Sequence, residues 1–209
     1  VLSRISSLML GAKKAAGTEM DVVVAANMNL STDGMTYLAL RCQRSRLTLL
    51  ENPMALRHLS EQGSARKEFG QPLGFGGDYH TTEDFVQGIK KKAGTVLVPD
   101  AGRIGGVAML ARTADLAKEA KLKVAPLVQG GPFSLLAVAR SLFGRKEVLW
   151  VTSSYLDEWL KEEGVLKLPL QLEKGWLISK SCEIDETKFQ VKRIAELATK
   201  TGKRNEPPE

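Results

Sequence analysis

The sequence predicts an α/β fold in which parallel strands alternate with crossover helices, of the (β/α)8 barrel type. Six short apolar runs recur along the chain, and their first residues lie 23 to 27 residues apart. Each run is rich in β-branched residues or leucine, and a polar or special residue follows most of them. A strand and a helix repeated at this spacing are typical of a parallel sheet. An uninterrupted series of six favours a barrel, in which chemistry is built where the strands end.

The barrel units are expected to occupy residues 1–154, and all their strands are expected to be parallel. The chain has 209 residues, of which 43% are hydrophobic, which is enough for one sizeable core. A whole eight-stranded barrel typically needs roughly 250 residues, so the sequence predicts a partial barrel. The predicted strands are residues 22–25, 47–50, 72–75, 95–98, 122–125 and 147–150.

The first segment, residues 1–16, carries apolar side chains at helical spacing, and Gly17 is expected to end this helix. Serines and basic residues are frequent here and the first acid is Glu19, as in a mitochondrial transit peptide. The alternative is a crossover helix before the first strand. We favour this alternative because the distance from the helix to Asp21 matches the later units.

The segment after the sixth strand does not follow the strand–helix rhythm. Residues 155–186 are predicted to form a short helix and a hairpin, with strands at 165–170 and 176–178. Such an element is expected to cover one end of the barrel. Residues 187–209 are predicted to form a C-terminal helix followed by a disordered polar tail.

Composition limits the setting of the protein. The formal net charge is +6, and no run of 18 apolar residues occurs, so no membrane span is expected. Cys42 and Cys182 are isolated, which indicates neither a disulfide framework nor a zinc site and favours a reducing compartment. The basic charge and the acid-poor start suggest the mitochondrial matrix, with the cytoplasm as the alternative.

Polar residues follow several of the predicted strands. The first strand leads to Asn27, the second to Glu51, the third approaches Asp78, and the fourth ends at Asp100. Mg²⁺ prefers carboxylate and water oxygens, so Glu51 and Asp78 are a plausible pair of metal ligands. The alternative is that these acids are solvated or cap the following helices.

Two further features are open to two interpretations each. His80 follows Asp78 closely and is either a substitute base in the pocket or an exposed loop histidine. Gly105 and Gly106 precede a predicted helix and serve either to receive an anion or to allow close packing of helix on sheet.

Basic residues cluster at two places. A group of lysines, residues 90–92, ends a predicted helix, where cations offset the helix dipole. Three arginines, Arg41, Arg44 and Arg46, are dense enough to contact phosphate, which makes RNA a candidate partner.

Five segments in order and in register, from about Ser3 to Phe189, carry a resemblance to a known family: VVVAANMNLS, LLENPM, PLGFGGDYHTTEDF, VPDAGRIGGVAMLARTADLAKEAKLKVAP and LPLQLEKGWLISKSCEIDETKF. Together they resemble the enolase superfamily in its mandelate racemase and muconate lactonizing branch. The resemblance implies a barrel portion covering about strands 3 to 8, with the capping domain absent.

The chain departs from the family's pattern at the metal site. The resemblance places the family's three metal-ligand positions at Ala25, Glu51 and Asp78, and only the last two are carboxylates. Loss of one carboxylate should leave a weaker, vestigial magnesium site.

The resemblance also implies a damaged pair of bases. The family's aspartate falls on Asp100, but its histidine partner falls on Leu127, which cannot transfer a proton. A family glutamate falls near Trp150, and the family's Lys-x-Lys lies upstream of Val1.

The sequence therefore leads to two hypotheses about function. The first is a non-catalytic barrel, a pseudoenzyme without a cofactor, acting as a structural subunit of a larger assembly such as a mitochondrial ribosome. The alternative is a Mg²⁺-dependent racemase, dehydratase or lyase that abstracts a proton next to a carboxylate. The first hypothesis implies protein partners, and it is the one that we favour.

Overall fold

The computed structural model describes residues 2–17, 20–42, 47–153, 171–173 and 176–178. Helices and strands alternate along most of this length. The helices are α1 (Leu2–Ala16), α2 (Thr32–Cys42), α3 (Leu59–Phe69), α4 (Thr82–Lys90), α5 (Val107–Glu119) and α6 (Pro132–Leu142), and a 3-10 turn (Leu56–His58) precedes α3. The strands are β1 (Val23–Ala25), β2 (Leu49–Glu51), β3 (Leu73–Phe75), β4 (Val96–Leu97), β5 (Lys123–Val124), β6 (Leu127–Val128), β7 (Thr152–Ser153), β8 (Gln171–Glu173) and β9 (Trp176–Ile178).

The strands form a wall in which neighbours in sequence are neighbours in space. β1 to β5 make one parallel sheet in that order, and β6 pairs with β7, also parallel. Single bridges from Asp100 to Leu127 and from Val124 to Val148 join the two sheets. This succession of parallel strands with helices between them confirms the predicted partial βα barrel.

The first five predicted strands are confirmed within one or two residues, and the sixth, 147–150, is confirmed in part. Val148 pairs with Val124, to which the carbonyl of Glu147 and the N–H of Leu149 are each hydrogen-bonded at 2.9 Å, whereas the consecutive paired residues of the sixth strand are those of β7. Pro126 separates β5 from β6, and proline has no N–H to contribute to a ladder. The pairing therefore lapses there and resumes further along both segments, where the N–H of Thr152 donates to the carbonyl of Pro126 at 2.9 Å.

Helix α1 forms where the apolar spacing predicted it. Gly17 ends it with φ of +63°, and its N–H donates to the carbonyl of Lys13 at 3.1 Å. Met9 is buried in the same cluster as Met35 and Leu38 of α2. The helix thus packs against the outside of the barrel, as expected of a crossover helix.

Side chains on the strands alternate between two cores. Leu50, Leu73, Phe75, Leu97 and Val124 pack against the surrounding helices. Leu49, Val96, Val98 and Ala125 form a separate cluster on the other face of the sheet, against which Leu127 and Trp150 pack. Because successive residues of a strand point to opposite faces, this second cluster is the interior of the barrel.

The described part of the C-terminal region is a hairpin. β8 and β9 pair antiparallel, with Glu173 opposite Trp176, which confirms the predicted strand at 176–178. The predicted strand at 165–170, the short helix before it and the helix and tail within 187–209 lie outside the described residues. No helix in the described part of the chain is long and apolar enough to cross a membrane.

Two helical glycines differ in what surrounds them, and this difference is testable. A Cβ at Gly63 of α3 would collide with the carbonyl oxygen of Lys91, whereas a Cβ at Gly11 of α1 would meet nothing within 4 Å. We expect Gly63→Ala to lower the free energy of unfolding by about 1–3 kcal/mol, because overpacking shifts the backbone. Gly11→Ala should raise it by up to about 1 kcal/mol. Denaturant unfolding of both variants checks this, and a Gly63→Ala variant as stable as the parent would contradict the close packing of α3 on the end of α4.

Candidate functional site

Glu51 is a carboxylate buried at the carboxyl end of β2. It follows Leu49 by two residues, so it lies on the interior face of the barrel, and only 3% of it is exposed. Its Oε1 has no hydrogen-bond partner among the described residues. Burial raises the pKa of Glu51 above the ordinary value for glutamate, because the charged form is the more costly to desolvate.

Neither residue paired with Glu51 in the sheet carries a charge. Ala25 of β1 and Glu51 are partners in the parallel register, and so are Glu51 and Gly74 of β3. Residues paired in this way lie side by side on one face of the sheet. The predicted metal-ligand position at Ala25 therefore is next to Glu51, as the resemblance requires, but it supplies a methyl group.

The two positions directly after β3 have no side chain. Gly76 has φ of +114°, and a Cβ there would collide with the ring of Phe85, which packs on Tyr79 with 4.9 Å between ring centroids. A Cβ at Gly77 would collide with the side chain of Asn52. The aromatic packing and the Asn52 side chain thus leave no room for a ligand residue at either position.

Asp78 lies three residues beyond the end of β3 and is half-buried. Its Oδ2 accepts a hydrogen bond from the N–H of Leu56 at 2.9 Å. The carboxylate thus ties the loop after β3 to the 3-10 turn after β2. The alternative to metal binding in the sequence was a solvated acid or a cap of the following helix, and the observed contact differs from both because Leu56 belongs to the turn after the preceding strand.

Asn52, which was not among the predicted site residues, organises the same end of the barrel. Its backbone has φ of +46°, and its Oδ1 accepts a hydrogen bond from the N–H of Gly77 at 2.9 Å. Its N–H donates to the carbonyl of Gly74 at 2.9 Å, and its carbonyl accepts from the N–H of Met28 at 2.6 Å. One residue therefore connects the ends of β1, β2 and β3. An asparagine directly after a buried strand was the available signal, since asparagine tolerates a positive φ.

Asp100 and Leu127 are brought together. They form a parallel bridge between β6 and the segment that follows β4, and Asp100 is only 6% exposed. The Oδ1 of Asp100 accepts from the N–H of Gly102 at 2.9 Å, and its carbonyl accepts from the N–H groups of Arg103 and Ile104. Asp100 thus holds the turn before α5, and the side chain beside it is apolar.

The remaining predicted pocket residues lie at the solvent boundary. Asn27 is exposed with φ of +50°, and His80 is exposed while its backbone N–H donates to Asp84 Oδ2 at 3.0 Å. This geometry corresponds to the exposed-loop interpretation of His80. Gly105 and Gly106 have φ of +98° and +92°, and a Cβ at Gly106 would meet nothing within 4 Å, so backbone conformation rather than close packing requires glycine there.

Trp150 contributes to the interior where the family's pattern has a glutamate. It is half-buried against the interior cluster, and its Nε1–H donates to Thr152 Oγ1 at 3.1 Å. Arg41, at the end of α2, is exposed and lies over the ring of Tyr37, with Cζ 5.6 Å from the centroid. Arg44 and Arg46 lie outside the described residues.

These residues do not fit a bound Mg²⁺. Among the described residues no three His, Cys, Asp or Glu side chains are close enough together to hold a metal ion. Ala25 provides no oxygen and one oxygen of Asp78 is engaged by the N–H of Leu56, so the three family positions do not present the set of carboxylates that Mg²⁺ prefers.

A wall of parallel strands, with helices outside and polar residues gathered at the strand carboxyl ends, defines a βα barrel of the kind that carries enzyme active sites. Residues 7–181 match the family described as Enolase C-terminal domain-like. The chain therefore belongs to the enolase superfamily. Among curated proteins, none matches it at a significant level.

Solved structures of the same superfamily resemble the fold. A racemase from Streptomyces coelicolor with bound magnesium is 20% identical, with a TM-score of 0.67 over 75% of this chain and 45% of that one. L-talarate dehydratase from Polaromonas, complexed with Mg and L-glucarate, is 20% identical, with a TM-score of 0.70 over 85% and 47%. A muconate cycloisomerase variant is 16% identical, with a TM-score of 0.82 over 94% and 54%. The chain thus spans about half the length of these proteins, and at these identities the likeness establishes the fold.

The burial of Glu51 predicts a specific pH dependence. Its folded-state pKa is raised, so folding favours the protonated form. No cost arises at a pH below the ordinary glutamate pKa, since both states are then protonated. As the pH rises through that value, the unfolded state ionises first and the native state loses stability. We expect Glu51→Gln to be more stable than the parent near pH 7, with the difference vanishing near about pH 4.

Urea denaturation across this pH range, in EDTA, measures the difference. Glu61→Gln is the matched control, because the pKa of that exposed carboxyl is lowered by hydrogen bonds from its own backbone and from His58. Relative to the parent, Glu61→Gln should not gain stability as the pH rises. A Glu51→Gln difference that stayed constant from pH 4 to 7 would show that Glu51 is not desolvated.

Proposed function

We propose that this chain is a barrel that has lost metal-assisted proton abstraction and serves as a non-catalytic subunit of a larger assembly. The observation that carries the proposal is the register pair Ala25 and Glu51. At the position where the family's first ligand falls there is a methyl group, so Glu51 has no neighbouring carboxylate with which to share a cation. Abstraction of a proton next to a carboxylate needs electrostatic stabilisation of the charge that develops.

The base positions support the same proposal. Leu127 cannot accept a proton, and it occupies the position beside Asp100 where the family places a histidine. The Asp100 carboxylate is engaged by the N–H of Gly102. A carboxylate held in a turn and without an imidazole partner lacks the second group of an acid–base pair.

The second candidate is a Mg²⁺-dependent racemase, dehydratase or lyase acting on a carboxylic acid. Family membership favours it, because similar structures include a racemase with magnesium and a dehydratase with magnesium and a sugar acid. At the level of the family, these comparisons favour an enzyme over a pseudoenzyme. The candidate would require ligands and a base in addition to Glu51, Asp78 and Asp100. We place the enzyme second because the strand ends carry too few carboxylates and no second base.

The metal distinguishes the two candidates. Calorimetric titration of the parent chain with Mg²⁺ should reveal no site tighter than about 1 mM, since Ala25 supplies no oxygen. Ala25→Asp should bind Mg²⁺ measurably more tightly, and Glu51→Gln in that background should abolish the gain. Ala25→Asn is the matched control for size without charge. A sub-millimolar site in the parent, lost in Glu51→Gln, would favour the enzyme.

The contact with further polypeptide is proposed at the edge strand β1. In the described residues β1 pairs only with β2, and Val23 is 39% exposed on it. Unpaired strand edges are places where a further strand adds, either from a preceding part of the same protein or from another subunit. The mitochondrial location and the ribosomal setting suggested by the composition stay predictions.

A pair of matched variants tests the edge. Val23→Glu should reduce the amount of tagged chain that co-purifies in large complexes from its source cells, because a charge on an edge strand opposes pairing. Val107→Glu, at a valine that is also 39% exposed but begins α5, should leave the complexes intact. Gel filtration of both variants measures the fraction of tagged chain that elutes in large complexes. Equal recovery of complexes from the two variants would exclude the β1 edge as the contact.

A further inference from the structure

The parallel arrangement of the strands collects the ends of the helices on one side of the barrel. Each helix returns from the carboxyl ends of the strands to their amino ends, so the carboxyl ends of α3, α4 and α5 lie beside the amino ends of β3, β4 and β5. The Nη1 of Arg66 on α3 donates to the carbonyl of Lys92 at 3.3 Å, and Nε2 of Gln62 donates to that of Ala93 at 2.8 Å. α4 in turn packs against α5. These three ends therefore form one continuous surface, at the opposite end from Glu51.

This surface is dominated by exposed lysines, which we call the lysine arc. None of its members forms an ion pair with an acid in the described part of the chain. Of the acids nearby, Glu68 accepts a hydrogen bond from Thr36 Oγ1 and thus faces α2, Asp115 pairs with Arg145, and Glu119 is exposed. The lysine arc consists of Lys67, Lys90, Lys91, Lys92, Lys118 and Lys121.

Helix dipoles account for only part of this pattern. A cation in the last turn of a helix is stabilising, which suffices for Lys67, Lys90 and Lys118. Lys92 and Lys121 are different, because they follow the ends of α4 and α5 with φ of +55° and +56°. Glycine is the usual residue at such a position, since a Cβ is disfavoured there. Lysine is thus present at two neighbouring helix ends where the backbone conformation alone would favour glycine.

The chemistry of the lysine arc fits a phosphate backbone better than other anionic partners. No large exposed apolar side chain belongs to the segments 66–72, 90–95 or 118–123, so these segments would not themselves insert into a lipid surface, whereas Phe143 at the end of the neighbouring helix α6 is exposed. Protein interfaces have apolar cores from which lysine is depleted. Helix ends and short loops do not project into the major groove of B-DNA as a recognition helix does. A-form RNA, in contrast, is recognised by shape and through its phosphates.

We propose that the lysine arc binds the phosphate backbone of structured RNA. Lysine presents a point charge without the fork that reads bases, so the contact is independent of sequence. The pocket end of the barrel carries both signs of charge, with Glu83 and Asp84 at the start of α4 and Arg57 and Arg103 in the loops, so it has no comparable excess of cations. The proposal does not depend on whether the pocket is catalytic, since the two sites lie at opposite ends of the strands.

Fluorescence anisotropy of the full chain with a labelled RNA hairpin tests this proposal. A triple variant, Lys90→Gln with Lys91→Gln and Lys92→Gln, should weaken binding at least about tenfold near 100 mM KCl. The slope of log affinity against log salt should become shallower by roughly 2, since each lost phosphate contact removes about 0.7 to 0.9. The matched control removes three cations elsewhere, by Arg57→Gln, Arg103→Gln and Arg112→Gln, and should bind as the parent does.

Further measurements distinguish RNA from other anionic partners. Lys118→Gln with Lys121→Gln provides a second variant of the lysine arc, and thermal unfolding confirms that each variant is folded. A DNA duplex of the same sequence should bind more weakly than the RNA. Equal loss of RNA binding in the arginine control would show a non-specific charge effect and overturn the proposal. So would absence of RNA binding by the parent, or association only with phosphatidylserine vesicles or with polyglutamate.

Discussion

Parallel pairing of the strands separates the two ends of this barrel chemically, and both the pocket and the lysine arc depend on it. Every described strand of the wall runs in the same direction, so strand carboxyl ends and helix amino ends meet on one side. Carboxylates such as Glu51 and Asp100 gather there. The helix carboxyl ends gather on the other side, with the lysines. Helix dipoles reinforce the separation, because anions are favoured at helix amino ends and cations at carboxyl ends.

Packing at the pocket end explains why the site has little freedom to regain a metal. Gly76 is held by the Phe85 ring and Gly77 by the Asn52 side chain, so neither position accepts a side chain without repacking. Asp78, the carboxylate that follows these glycines in the chain, accepts a hydrogen bond from the N–H of Leu56. The loops after β1, β2 and β3 are tied together through Asn52 and through the carbonyl of Glu51, which accepts from the N–H of Ala26 at 2.9 Å. Replacing Ala25 by a carboxylate would therefore restore a second ligand but leave the position after β3 empty.

The isolated burial of Glu51 has a cost that the rest of the fold must offset. A buried carboxyl with an unpaired oxygen opposes folding above its ordinary pKa, and no cation neighbours it in the described structure. The large apolar clusters on the two faces of the sheet supply the stability that tolerates it. The interior of the barrel around Glu51 is apolar, since Leu127 and Trp150 pack against the interior cluster.

The sequence by itself determined the class of fold, because apolar runs at a regular spacing require parallel strands joined by helices. It also determined that Ala25 and Leu127 are chemically inert, since residue identity alone decides that. Tertiary structure decided the rest. The sixth strand shifted because Pro126 cannot donate to the ladder, and the role of Asp78 depended on the N–H of Leu56, which is 22 residues away in the chain. Asn52 and the lysine arc emerged only when separate loops and helix ends were brought side by side, since a local sequence pattern carries no information about contacts between distant segments.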